Sequence, residues 1–302
     1  MLVPMLLGLL LIAVAAASWG TTGATMTLLA REAAASPLLV GWSRLAIAAP
    51  VLVLAAAGVA RFGAPSAARR PWPSLADLPL CAALGLAMAA YQVCYFRAVT
   101  LVGVAPAALL AICSAPLLIA VLAAVFLGER LSPRVRLSLG MAVAGTALLV
   151  VGPRGFGEIA GQFGLGTLLA LGAGVSYAVY AVAAKGLLAR ATPLAVAAIT
   201  FALAALFLAP ALLGEAAPGR AVATGWPLLL YLGLGPTAVG YALYTAGLAR
   251  VPATAAGIVT LLEPLTAATL GLVVFGERLG PVGLTGALLL LASLTLLTTA
   301  RH

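Results

Sequence analysis

Charge is what this chain has least of. Only 8% of its 302 residues are charged, and Asp and Glu together number 7. A soluble protein of this length needs a largely polar exterior, so a water-soluble fold is excluded. The single histidine, His302, lies at the terminus. Without His pairs, metal clusters or a nucleophile beside a base, the chain offers no catalytic residue and no metal site, and an enzyme is not expected. Cys81, Cys94 and Cys113 fall inside apolar runs without metal-type spacing and read as small apolar fillers. No Walker-type phosphate loop is present, so neither ATP coupling nor a cofactor is indicated. The net charge of +9 raises a nucleic-acid partner, but the 16 basic residues are scattered between apolar runs, and that partner is excluded too.

What is abundant is apolar surface. Hydrophobic residues make up 64% of the chain and the mean hydropathy is +1.21. The lipid bilayer is the solvent that suits such a chain. There, each backbone polar group must be satisfied internally, which leaves helices or closed barrels. Strand-type alternation is missing and Ala and Leu dominate, so the fold class is an all-α integral membrane protein. Runs of about twenty apolar residues, each able to cross roughly 30 Å of hydrocarbon, predict ten spans near 3–27, 37–59, 77–99, 104–127, 134–151, 164–187, 193–213, 227–248, 253–275 and 281–299. The first lacks the basic flank of a signal peptide and reads as an uncleaved helix. Polar connections lie around 60–75 and 214–225, and no soluble domain fits anywhere.

Basic residues orient the spans. With the N-terminus inside, the cytoplasmic connections hold Arg61, Arg69, Arg70, Arg130, Arg134, Arg136, Lys185, Arg190, Arg250 and Arg301. The outer ones hold only Arg31, Arg154, Arg220 and Arg278, each near an acid. Both termini are therefore expected in the cytoplasm, and the chain in the cytoplasmic (inner) membrane.

The two halves repeat. FLGERLSP at 126–133 matches VFGERLGP at 274–281, an offset of 148, and the same offset carries Pro116 onto Pro264. Ser18-Trp19-Gly20 resembles Ser176-Tyr177-Ala178, and Pro37 resembles Pro193. Residues 1–152 and 153–302 are thus expected to be five-helix repeats within one membrane domain. An odd number of crossings per repeat inverts the second relative to the first, an arrangement that suits alternating access.

These features resemble the drug/metabolite transporter superfamily, specifically its EamA-type ten-helix members. The signs are Gly128–Arg130, Gly276–Arg278, Ser18-Trp19-Gly20, Arg44, Pro116 and Glu263-Pro264. Bacterial relatives of this type export amino acids and other metabolites. The resemblance implies a secondary transporter, with a small-molecule substrate and the lipid bilayer as its partners. An uncoupled facilitator or channel for small amphiphilic solutes is the alternative. Arg44 departs from repeat symmetry, since Thr200 stands in the matching place.

Glu263 is the most informative residue, because a charge at mid-membrane is costly and marks a pathway. It reads as a carboxyl that binds substrate or a proton. Arg44 is open to two roles, meeting a substrate carboxylate or anchoring structure, and Arg97, near a span end, snorkels. Pro116 and Pro264 remove helical hydrogen bonds and free carbonyls at Ile112 and Thr260, which suits gating or cation binding. Tyr91 with Tyr95, Tyr177 with Tyr180, and Tyr241 with Tyr244 are pairs at helical spacing. Trp19, Tyr91, Gln92, Tyr95, Tyr177, Tyr180, Tyr244 and Thr260 are expected to line a cavity, while Trp72, Trp226 and Tyr231 suit an interfacial belt. The two GER motifs read as structural, with Glu129 and Glu277 capping the helix that follows each or pairing with an arginine.

Overall fold

A computed structural model of the chain describes residues 2–62, 69–102, 104–151, 164–214, 218–274 and 280–298. They form helices, with a single isolated bridge between Arg70 and Ala191 and no strand among the described residues. In chain order the helices are α1 (Leu2–Trp19), α2 (Thr22–Ala33), α3 (Pro37–Phe62), α4 (Leu78–Val102), α5 (Val104–Phe126), α6 (Pro133–Val151), α7 (Leu165–Leu187) and α8 (Pro193–Leu208). After them come α9 (Pro218–Leu232), a π-helical stretch at Gly233–Val239, α10 (Gly240–Leu248), α11 (Ala253–Val259), α12 (Leu262–Val274) and α13 (Pro281–Thr298). Among the described residues, 7 helical segments are long and apolar enough to cross a membrane, and Leu110–Phe126 and Pro281–Leu297 are shorter apolar helices. The chain is an all-helical membrane protein.

Local chemistry sets the boundaries. Pro37, Pro133, Pro193 and Pro281 each open a helix at the position where a missing N–H costs nothing. Ser36 and Ser132 accept hydrogen bonds from the N–H of Leu39 and Val135 at 3.1 and 3.3 Å. Gly128, at φ +67, ends α5 in the left-handed region that glycine tolerates.

The helices bury small residues and expose large ones. Alanines dominate the core, whereas Leu10, Leu54, Leu86, Val121, Val125, Leu168, Leu206 and Leu288 face outward. In a bilayer this inversion is favourable, because lipid solvates the large side chains and small ones let helices approach. Gly145 meets the backbone of α13 at Gly286 O and Leu290 N, where an added Cβ would come within 2.8 Å. Gly174 similarly touches Ser114 and Ala111 of α5. The most extensive pairings are α4 with α7, α6 with α13, α5 with α7, α3 with α8, α4 with α8 and α1 with α10. Buried hydroxyls are returned to their own helices: Thr146, Thr200 and Thr245 donate to carbonyls one turn earlier.

One end of the bundle is tied by charge. Asp77 accepts from the Ser74 N–H at 3.0 Å, the Ser74 hydroxyl at 2.7 Å and Arg190 Nη1 at 2.9 Å. Arg70 pairs through its backbone across the same junction, its N–H donating to the Arg190 carbonyl and its carbonyl accepting from the Thr192 N–H. Nearby, the connection from α10 to α11 is clamped at both ends. Lys185 donates to the carbonyls of Leu248 and Val251 at 2.7 and 2.6 Å, where α10 ends. Glu129 accepts from the N–H groups of Ala253 and Thr254 at 2.6 and 3.1 Å and from the Thr254 hydroxyl at 2.9 Å, where α11 begins. Each charge complements the dipole of the helix end it meets.

The Glu129 contact corrects one sequence expectation. Its carboxylate caps α11, more than 100 residues away, and not α6, which follows it; the end of α6 is already served by Ser132 and Pro133. Gly276, Glu277 and Arg278 lie outside the described residues. Glu129→Gln is expected to lower the melting temperature of the purified protein, at a cost of about 1–2 kcal/mol, the usual worth of a helix cap. An unchanged melting temperature would show that the cap contributes nothing.

Candidate functional site

Three helix interruptions meet in the interior. The first is Gly20-Thr21 between α1 and α2, the second the π-helical stretch Gly233–Val239, and the third Thr260-Leu261 between α11 and α12. Gly20 packs directly on the third, since a Cβ there would lie 2.6 Å from Thr266 Cβ and 2.7 Å from the Glu263 carbonyl oxygen. Trp19 reaches the second, its indole N–H donating to the Pro236 carbonyl at 2.8 Å. Gly240 leaves room for that ring, as a Cβ there would fall 2.9 Å from Trp19 Nε1. Pro236 carries no N–H to donate, so the ladder slips to π spacing and frees carbonyls for such side chains.

Arg44, on α3, is buried beside the same stretch. Its Nε donates to Thr237 Oγ1 at 2.9 Å, and Thr237 in turn donates to the Leu232 carbonyl at 2.7 Å. Among the described residues the Nη groups make no hydrogen bond, so the guanidinium is held by one edge with its terminal fork left open. Glu263, in the first turn of α12, lies within electrostatic reach of Arg44. The two form no ion pair within 4.0 Å, unlike Asp77 with Arg190 and Arg70. Glu263, Tyr91 and Tyr95 lie inside the bundle yet remain partly accessible.

Aromatic rings form the wall. Trp19 lies 4.6 Å from Tyr241, 5.4 Å from Tyr244 and 6.5 Å from Tyr177, centroid to centroid. Tyr91 stacks on Tyr95 at 5.7 Å with an interplanar angle of 2°, and sits 6.1 Å from Tyr177. Tyr180 joins through Tyr177 and Tyr244 at 5.9 and 6.1 Å. Such edge and offset contacts are favourable ring geometries.

The sequence candidates divide accordingly. Trp19, Arg44, Tyr91, Tyr95, Tyr177, Tyr180, Tyr244 and Glu263 come together. Gln92 is buried against Gly41 of α3, with its carbonyl oxygen unpartnered. The Thr260 hydroxyl is buried and donates to Gly257 of its own helix. The Thr260 carbonyl, which Pro264 was expected to free, accepts from the Glu263 N–H at 3.0 Å. Pro116 lies inside α5 without interrupting it, whereas Pro264 lies in the first turn of α12, so the matched prolines serve different backbones. Arg97 is exposed near the end of α4. Trp226 and Tyr231 are exposed as belt residues should be, and Tyr231 also hydrogen-bonds Thr21 at 2.7 Å.

One contributor is not apparent in the sequence pattern. Thr237 positions Arg44, but a threonine in an Ala-rich helix carries no signal. The signal lay beside it, in Gly233-Leu234-Gly235-Pro236, a helix-weakening run inside a span. Tyr241, spaced with Tyr244, proves to be the ring nearest Trp19.

The model of the EamA-like transporter family matches the chain twice, over residues 6–151 and 164–299. The chain is 34% identical over 292 residues to the uncharacterized transporter YwfM of Bacillus subtilis, covering 96% of this chain and 93% of that one. It is 34% identical to a probable terminal-alkyne amino-acid exporter of Streptantibioticus cattleyicolor, over 84% of this chain and 82% of that protein. It is 32% identical to the aromatic amino acid exporter YddG of Ancylobacter novellus, over 73% and 74%. A crystal structure superposes with a TM-score of 0.73 at 25% identity, covering 97% of this chain and 96% of the other.

Proposed function

The chain belongs to the EamA-like transporter family, and from that premise we propose that it is a secondary transporter that exports small metabolites, amino acids among them, across the cytoplasmic membrane by alternating access. The observation that carries this reading is the meeting of three helix interruptions beside an arginine and a glutamate inside the bilayer. Irregular backbone and intramembrane charge are tolerated where they line a substrate path.

In this reading the chain crosses the membrane ten times, as two inverted five-helix repeats at residues 1–152 and 153–302, with both termini in the cytoplasm. The double match of the family model supports the repeat. So does the packing: α4 lies along α7 as α1 lies along α10, while α3 with α8 and α6 with α13 join matched helices. The ten-to-four bias of basic residues supports the orientation.

The residues take roles that follow from their chemistry. The free fork of Arg44 receives a substrate carboxylate, and Thr237 sets its angle. Glu263 receives the substrate ammonium or a proton, and its exchange between the two couples transport to a gradient. Trp19, Tyr91, Tyr95 and Tyr241 pack on the apolar part. The interruptions around Gly20, Pro236 and Pro264 let half-helices move, with Pro116 as the matched flexing point in α5. Cargo names among the relatives point to amino acids.

Liposomes carrying the purified protein, loaded with a panel of labelled metabolites, test the reading with and without an imposed pH gradient. Saturable efflux of amino acids is the expected result. Efflux no faster than from protein-free liposomes would overturn it.

A further inference from the structure

The aromatic wall has two electrostatically distinct halves. Tyr91, Tyr95 and Tyr241 all lie in the field of both Arg44 and Glu263. The electrostatic partners of Tyr177, Tyr180 and Tyr244 are tyrosines only. These three rings form a near-equilateral triangle, with centroid separations of 5.9, 6.1 and 6.3 Å. Two come from α7 and one from α10, and Trp19 bridges the halves, touching Tyr177 and Tyr244 of the triangle and Tyr241 of the charged half.

All three hydroxyls are buried, Tyr180 and Tyr244 fully, and none completes a hydrogen bond within the protein. The Tyr177 and Tyr244 hydroxyls lie close enough to interact with each other, but in a geometry that completes no hydrogen bond for either. A buried hydroxyl needs a partner, because neither lipid nor the ring faces replace the water it gave up. Other buried hydroxyls of the bundle, such as Thr200 and Thr245, meet that need through the carbonyls of their own helices. A tyrosine oxygen stands too far from its own backbone to do the same. Three adjacent unmet hydroxyls therefore mark the place of a polar guest. No ionised side chain lies among their electrostatic partners, so that guest is uncharged.

We propose that Tyr177, Tyr180 and Tyr244 form a neutral hydrogen-bonding subsite that recognises an uncharged polar group, such as a hydroxyl or a carboxamide, on the tail of the transported molecule. This rests on the reading of the chain as a metabolite carrier with its charged subsite at Arg44 and Glu263. The cargo is then an amphiphile whose charged head and neutral polar tail are separated by an apolar section lying on Trp19. Phenolic hydroxyls donate and accept equally well, so the subsite takes both kinds of tail and rejects tails that leave its hydroxyls unpaired.

The test uses the full chain in liposomes with matched labelled pairs: tyrosine against phenylalanine, and glutamine against methionine. The quantity read is the ratio of polar-tail to apolar-tail transport. In the wild type it should exceed one. In the double variant Tyr180→Phe/Tyr244→Phe it should fall by at least about tenfold, the usual consequence of losing a buried hydrogen bond to substrate. The single variants Tyr177→Phe, Tyr180→Phe and Tyr244→Phe give the same ratio should the double variant not purify as a monodisperse protein. A ratio that does not move in any variant, while both members of a pair are carried, overturns the subsite alone and leaves its hydroxyls to a resident water. Transport of no member by the wild type overturns the amino-acid reading, and the subsite with it.

Discussion

Replacing Arg44 by glutamine is expected to lower amino-acid transport on the order of a hundredfold. Arg44 is buried, and its one hydrogen-bond partner among the described residues is the Thr237 hydroxyl, which holds Nε and leaves the fork for a ligand. Truncating one side of a buried, hydrogen-bonded charge pair costs about 2–5 kcal/mol, so a hundredfold loss lies near the lower end. Arg44→Lys keeps the charge but not the planar fork, and is expected to recover only part of the rate. Uptake kinetics separate the two effects: the glutamine variant should raise KM, because recognition is lost before movement is. A normal KM in Arg44→Gln, in a protein that purifies as the wild type does, would return Arg44 to a structural anchor between α3 and the π-helical stretch.

Glu263→Gln is expected to remove the response of transport to an imposed pH gradient. The amide keeps the size and position of the side chain at the start of α12 but can neither ionise nor carry a proton. Wild-type liposomes should show transport that accelerates with the gradient; those with Glu263→Gln should show one rate, reduced by at least about tenfold, in both conditions. Because Glu263 and Arg44 lie in each other's field, the double variant Arg44→Gln/Glu263→Gln should lose no more than the worse single variant, as residues acting as a unit do. Full, gradient-responsive transport by Glu263→Gln would remove this residue from the coupling step.

Much of the helical layout was legible because membrane helices leave strong marks. Pro37, Pro133, Pro193 and Pro281 open helices at or beside the expected span starts, and most apolar runs end near the observed helices. The exceptions are α2, which runs on to Ala33 past the expected end at 27, and α9, which begins at Pro218 inside the stretch expected to be a polar connection. Lipid demands an unbroken apolar stretch and internal hydrogen bonds, so composition alone locates the spans. The gathering of Trp19, Arg44, Glu263 and the tyrosines was legible for a related reason, since polar and aromatic groups inside such runs have few other places to be.

The finer site was not legible, because it depends on contacts between distant segments. Thr237 orients Arg44 across 193 residues of sequence, and nothing in its neighbours singles it out from other threonines. Glu129 looked local to the turn before α6, yet its three donors belong to α11. Gln92 lies buried against α3 and the Thr260 hydroxyl turns back to its own helix, details that periodicity cannot give because one residue along a helix turns a side chain by about 100°. The prolines are the clearest case. Pro116 and Pro264 occupy matched positions, but only the second adjoins an interruption, and Pro236 contributes the π-helical slip that holds Trp19 and Arg44 in place.

A moving-carrier account is tested most directly by counterflow. Liposomes with the wild-type protein are loaded with an unlabelled amino acid that it carries and are then diluted into a trace of the labelled form. The account predicts that label accumulates transiently inside, and that its entry is accelerated by the internal substrate and saturates with it, because one site turns alternately to each face. Entry that is linear with concentration and indifferent to the internal substrate would contradict it, and would mark the passage through Arg44 and Glu263 as an open channel.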